Sequence, residues 1–129
     1  MARKNITYNQ PLEKQIGFSR AVRIGNIIAV SGTAPIAKDG TVHAPGDAYG
    51  QAKRCLEIIN DVLGKAGAGL KDIVRTRIYL KNVSDWEAVA KAHGEFFSSI
   101  QPARTFVEVS GFINPEWLVE IEADAMVGD

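Results

Sequence analysis

Near the C-terminus, Val119, Ile121, Ala123 and Ala125 alternate with Glu120, Glu122 and Asp124. A period of two places the apolar set on one face of a β-strand and the acids on the other. Pro102-Ala103-Arg104-Thr105-Phe106-Val107-Glu108-Val109 alternates in the same way. Three carboxylates on one strand face have two readings: a solvated surface, or a face lining a partner or a site. In the second, adjacent strands supply the cations, with Arg104, Arg75 and Arg77 as candidates. If the last two strands form a symmetric hairpin about Asn114, Glu108 opposes Glu120. Facing carboxylates destabilise a sheet unless a cation or ligand sits nearby.

The rest of the chain reads as the frame for that face. A short strand is expected near Ile6. Ala21–Ile24 and Ile27–Ser31 flank Gly25-Asn26, whose turn chemistry predicts a tight hairpin with positive φ at both positions. Gly32 and Pro35 punctuate the exit of the second strand, and Asp39-Gly40 marks another turn. Asp47 is an N-cap candidate for a helix whose buried stripe runs Ala48, Ala52, Cys55, Ile59, Val62, Ala66. Gln51 falls with the polar remainder of that helix, and Gly67 is its expected stop. Residues 72–80 alternate, with Val74, Thr76, Ile78 and Leu80 on one face and Arg75, Arg77 and Tyr79 on the other. Ser84 and Glu87 form a capping-box pattern for a helix carrying Trp86, Val89, Ala90, His93, Phe96 and Phe97, stopped by Pro102. The order is β-hairpin, helix, strand, helix, two strands. It predicts one α+β domain over 129 residues, with a mixed sheet and two helices on one face. The opposite face is expected to carry Arg75, Arg77, Tyr79, Arg104, Phe106, Glu108 and the three acids, buried largely against other copies of the chain.

Composition narrows the function classes. Fifteen basic and fifteen acidic residues leave no net charge, so no overall footprint for nucleic acid or an anionic membrane, with a local patch left open. One cysteine, no long apolar run and no signal-peptide core lead to the expectation of a reducing compartment, the cytoplasm. Cys55 lies on the apolar stripe and reads as core packing; His93 reads as a packed, hydrogen-bonded histidine. His43 has no second ligand in range, so no metal site is expected, and no glycine-rich phosphate loop opens a helix.

Ile16-Gly17-Phe18-Ser19-Arg20-Ala21-Val22, Val30-Ser31-Gly32, Pro102 to Val109 and Val119 to Ala123 occur in an order and spacing that resembles the RidA/YjgF family, also known as the liver perchloric-acid-soluble proteins. The resemblance spans about residues 12–127. It implies a chorismate-mutase-like α+β fold of the bacillus type, assembled as a homotrimer with a cleft at each subunit boundary. It also implies a cofactor-free deaminase that hydrolyses enamines and imines, such as 2-aminoacrylate, to 2-keto acids and ammonia. By motif, Arg104 would grip the substrate carboxylate through two charge-assisted hydrogen bonds. Glu120 would orient or activate the attacking water. Gly32 would let backbone approach the ligand, and Phe18 and Phe106 would line the cleft.

Three positions depart from the family pattern. Phe106 replaces a cysteine, Phe18 a tyrosine and Ala90 a helix asparagine. Together they imply a more apolar cleft and an imino acid with a bulkier or more apolar side chain. Apart from the resemblance, Arg104 also reads as an interface salt bridge to Glu122 or Asp124. Other functions remain open: a non-catalytic protein that binds a carboxylated metabolite, a ribonuclease or translation inhibitor, or a chaperone-like client binder. Zero net charge and the lack of a basic–aromatic run oppose the ribonuclease.

Overall fold

A computed structural model describes residues 2–128; Met1 and Asp129 lie outside the described residues. Six strands, β1 (Arg3–Ile6), β2 (Ala21–Ile24), β3 (Ile27–Thr33), β4 (Ile73–Leu80), β5 (Ala103–Glu108) and β6 (Val119–Met126), form one sheet in the order β1-β2-β3-β6-β4-β5. Every neighbouring pair is antiparallel except β4 and β5. Helices α2 (Ala48–Lys65) and α3 (Trp86–Phe97) pack on one face of the sheet and on each other. The expected mixed sheet with helices on one face is therefore present. Short helix α1 (Pro11–Ile16), which the sequence reading left unassigned, starts on Pro11 and stops at Gly17 with φ 90°. Both are ordinary helix boundary signals.

The hairpin forms at Gly25-Asn26, but only Gly25 takes a positive φ, 59°. One glycine in the first turn position is enough to match strand twist. Asp47 caps α2 by accepting a hydrogen bond from the Gly50 amide at 3.0 Å. At the other end the Ala68 amide reaches the Leu63 carbonyl and the Gly67 amide the Gly64 carbonyl, with Gly67 at φ 81°. That Schellman closure is the reason for a glycine there. The α2 stripe packs on Val119, Ile121, Ala123 and Ala125, all fully buried. Val119 and Ile121 each stabilise the fold by up to about 1.5–3 kcal/mol where burial is complete, and the smaller alanines by less.

Several local expectations give way to tertiary structure. Gln51 lies on the core side of α2, fully buried, where its carboxamide donates to the Glu116 carbonyl (3.1 Å) and accepts from the Leu118 amide (2.8 Å). A bulge in β4 turns Ile73 inward and leaves Val74 exposed. The Ser84 capping box does not form: residues Val83–Asp85 make a 3₁₀ turn, and the Val83 amide donates to the Glu108 carboxylate instead (2.8 Å). The final two strands are not a hairpin. β4 lies between them, and Glu108 aligns with Leu80 while Glu120 aligns with Tyr79. The crossover through α3 returns β5 parallel to β4, as a βαβ connection requires.

That topology moves three side chains to the other face. Arg104, Phe106 and Glu108 register with Thr76, Ile78 and Leu80, which point to the helices. They therefore lie on the helix side of edge strand β5, not on the open face as expected. Alternation separates the two faces of a strand but does not say which one meets the core.

Candidate functional site

The open face is organised by rows across the sheet. Ala29, Asp124 and Arg75 share one row, Glu122 and Arg77 the next, and Glu120 and Tyr79 the last. Arg77 Nη1 bridges Asp124 Oδ2 at 3.0 Å and Glu122 Oε1 at 3.6 Å. The Tyr79 hydroxyl donates to Glu122 at 2.5 Å, and that bond to a carboxylate pushes the hydroxyl's pKa up. Two of the three acids thus have partners within the protomer.

Glu120 differs. It is half-buried and, among the described residues, makes neither an ion pair nor a side-chain hydrogen bond. Burial raises its carboxyl above the usual range; Arg20 opposes the shift and Glu122 adds to it. Its carboxylate lies against Gly32. A Cβ there would overlap Oε1 and come within 3.4 Å of Cδ. Gly32 belongs to a bulge in β3, between Val30 and Thr33, where the pairing with β6 shifts. Within the protomer, the group that lies against Gly32 is the Glu120 side chain. Phe18 follows α1 and overhangs the same face. With Lys14, Ser19, Ser31, Glu122 and Asp124 it lines an open groove of about 640 Å³. Neither Glu120 nor Arg104 lines that groove.

Arg104 stands on the other side of the sheet. Its guanidinium stacks 4.4 Å from the centroid of the Phe106 ring, and among the described residues it forms no ion pair. The acids proposed as its salt-bridge partners, Glu122 and Asp124, are engaged by Arg77 within the protomer. Beside it His93 Nε2 lies 2.9 Å from Thr76 Oγ1, with its ring 4.6 Å from that of Phe97. Burial and then the Arg104 charge lower its pKa to about 4, so it is neutral near pH 7. His93 is the packed, hydrogen-bonded residue expected. Cys55 is fully buried, its thiol pushed far up by desolvation, so it is inert packing. Ala90 is half-buried on α3.

One protomer therefore places the candidate residues in two separate groups. Glu120, Gly32 and Phe18 belong to the open face and its rim; Arg104 and Phe106 lie across β4 on the opposite face. Arg20, which lies in the Ile16–Val22 motif next to Ser19, reaches the Gly32 bulge. Its Nη2 donates to Thr33 Oγ1 at 3.0 Å and to the Gly32 carbonyl at 3.4 Å, and its Cζ lies 6.0 Å from the Phe18 ring centroid. Its spacing gave no signal beyond that motif. Among the described residues no group of three or more His, Cys, Asp or Glu could hold a metal, and no helix is long and apolar enough to cross a membrane.

The class is an α+β domain in which one six-stranded mixed sheet carries α2 and α3 on one face. The profile of the Endoribonuclease L-PSP family matches residues 9–127, and the chain belongs to that family, the YjgF/RidA proteins. It is 36% identical to the 3-aminoacrylate deaminase RutC of Acinetobacter baylyi over 83% of this chain and 84% of that protein. A member of the YjgF/YER057c/UK114 family from Mycobacterium tuberculosis is 40% identical, with TM-score 0.88 over 98% of this chain and all of that one (100%). The YjgF gene product of E. coli is 33% identical, with TM-score 0.78 over 84% of this chain and 87% of its own.

Proposed function

We propose that this protein hydrolyses 2-imino acids, and the enamines that tautomerise to them, to 2-keto acids and ammonia at sites shared between two copies of the chain. The observation that carries the reading is the pairing of unused groups. Among the described residues, Arg104 is a cation without an ion-pair partner and Glu120 a half-buried acid without one, each beside an aromatic, on opposite faces of one sheet. A homotrimer, as the family resemblance implies, would bring the edge strand of one copy to the open face of the next. The kinship with a protein named 3-aminoacrylate deaminase supports the reaction class.

In that arrangement Arg104 binds the substrate carboxylate with its planar fork, while Phe106 holds the guanidinium flat. Ionised Glu120 accepts a proton from water as the water adds to the carbon of the protonated imine, whose nitrogen becomes a neutral amine. Glu120 returns that proton to the amine; as the C–N bond breaks and ammonia leaves, the hydroxyl oxygen closes the C=O bond and its proton passes to the Glu120 carboxylate and on to solvent. A carboxyl already raised by burial exchanges protons more readily near neutrality. Phe18 and Phe106 make the walls apolar and favour imines of leucine or phenylalanine over that of alanine. The alternatives differ chemically: carboxylate binding needs Arg104 but not Glu120, and a net charge of zero opposes RNA cleavage.

The test is a coupled assay in which an amino-acid oxidase generates imines and semicarbazide traps what is not hydrolysed. Wild type is expected to suppress trapping, most for the bulky imines, with loss in Arg104→Ala and Glu120→Gln. A clear preference for the alanine imine would defeat the apolar-pocket claim. Absence of suppression with every imine, from an intact oligomer, would leave a carboxylate-binding protein.

A further inference from the structure

We infer that Arg20 is a positioning residue for Glu120: it braces the Ser31–Gly32–Thr33 bulge on which the Glu120 carboxylate rests and places its positive charge beside that carboxylate without bonding to it.

The geometry converges on one residue. Arg20 Nη2 contacts the Gly32 carbonyl and Thr33 Oγ1, while Glu120 Oε1 packs over the Gly32 Cα. The bulge is fixed on its other side as well: the Ser31 amide donates to the Arg20 carbonyl at 3.0 Å and Ser31 Oγ to the Ser19 carbonyl at 2.5 Å. Among the described residues, the side-chain hydrogen bonds of Arg20 come from one of its nitrogens and go to neutral oxygens. Neutral acceptors do not balance a desolvated charge, and the acids in range do. They are Glu13, whose carboxylate already accepts from the Tyr8 amide, and Glu120, whose carboxylate has no donor. A side chain that only braced the bulge would need no charge.

The need for a cation is chemical. A water-activating carboxylate must be ionised to accept a proton, yet burial and neighbouring Glu122 both push Glu120 toward the neutral acid. The other titratable groups that couple to Glu120 are Tyr79 from β4 and Cys55 from α2, both protonated at neutral pH. Tyr8, also protonated, faces Arg20. Arg20 is thus the cation acting on Glu120, and it sets the lower edge of the pH range in which Glu120 can serve as base. This role rests on the reading of Glu120 as the water-handling group, and its test is separable from that reading.

The test follows the Glu120 side-chain carboxyl carbon by NMR titration of the full-length chain, assigned by difference from Glu120→Gln. In Arg20→Gln the midpoint is expected to rise by about one unit, a roughly tenfold gain in proton affinity. Arg20→Lys, which keeps the charge, is expected to recover most of the shift. In the imine assay the acid limb of kcat/KM is expected to move upward by the same amount, with the high-pH plateau kept. Arg20→Met is measured in its place if Arg20→Gln does not fold. An unmoved midpoint in a folded neutral variant, or failure of both neutral variants to fold, would make Arg20 a structural brace and overturn the inference. If the midpoint moves but no imine is hydrolysed, the deaminase reading fails and this one stands. Imine hydrolysis with an unmoved midpoint is the reverse.

Discussion

Placing a single methyl group at Gly32 separates the candidate chemistry from the fold. Gly32 does not have a positive φ, so alanine adds no backbone strain there. The new Cβ would overlap Glu120 Oε1, whereas Cδ at 3.4 Å and Cγ at 3.8 Å are ordinary contacts. Only the end of a flexible side chain has to move, by about 1 Å, a displacement that at a reacting group can cost roughly 100-fold in rate. That is about 2.7 kcal/mol of transition-state stabilisation. Stability should hardly change. Gly→Ala at a compatible site stabilises by about 0.4–1 kcal/mol through the unfolded chain. An off-rotamer glutamate gives back about 0.5–1.5 kcal/mol. The expected outcome of Gly32→Ala is a urea midpoint close to wild type with imine-hydrolysis kcat/KM down roughly 100-fold. Unchanged kcat/KM in the folded variant would show that Glu120 need not rest on Gly32 and would refute the reasoning. A matching collapse of stability would show that the glycine serves the bulge itself.

Two further outcomes follow from buried polar groups. Gln51→Leu leaves the Leu118 amide and the Glu116 carbonyl without their partner. At about 1–3 kcal/mol per stranded group it should destabilise by about 2–5 kcal/mol in urea unfolding, and a loss well under 1 kcal/mol (about the worth of one ordinary hydrogen bond) would contradict it. His93 has a folded pKa of about 4 against an ordinary 6.5, so between those values the unfolded chain binds more protons than the folded one. Stability should therefore rise with pH through that window, be complete above it, and fall as pH drops toward 4. His93→Gln should flatten this slope in urea titrations, and an unchanged slope would assign it to other groups.

The sequence carried the elements because their signals are local. The α2 stripe, the Asp47 cap, the Gly67 stop and the Gly25 turn each depend on residues a few positions apart. Ser84 shows the limit of a local signal: it falls inside the 3₁₀ turn Val83–Asp85, so α3 starts after Asp85 and no capping box forms at Ser84. Gln51 shows another, since a polar residue on a helix reads as solvated until a loop some 65 positions away comes to meet it. The same limit hid the contacts of Arg20 around Gly32. Arg20 and Thr33 are far apart in sequence, and only the bulge in β3 brings the guanidinium onto Gly32.

Alternation along β5 and β6 was enough to predict two strands, each with an acid- or arginine-bearing face, because a strand's side chains must alternate whatever it pairs with. It could not determine which face meets the helices, since that depends on strand order and on parallel or antiparallel pairing, both long-range. The tertiary structure decided it. With β4 between the final strands, Arg104 turns to the helix side and Glu120 to the open side. The two groups that one motif joins in sequence are thereby separated by a sheet within the protomer.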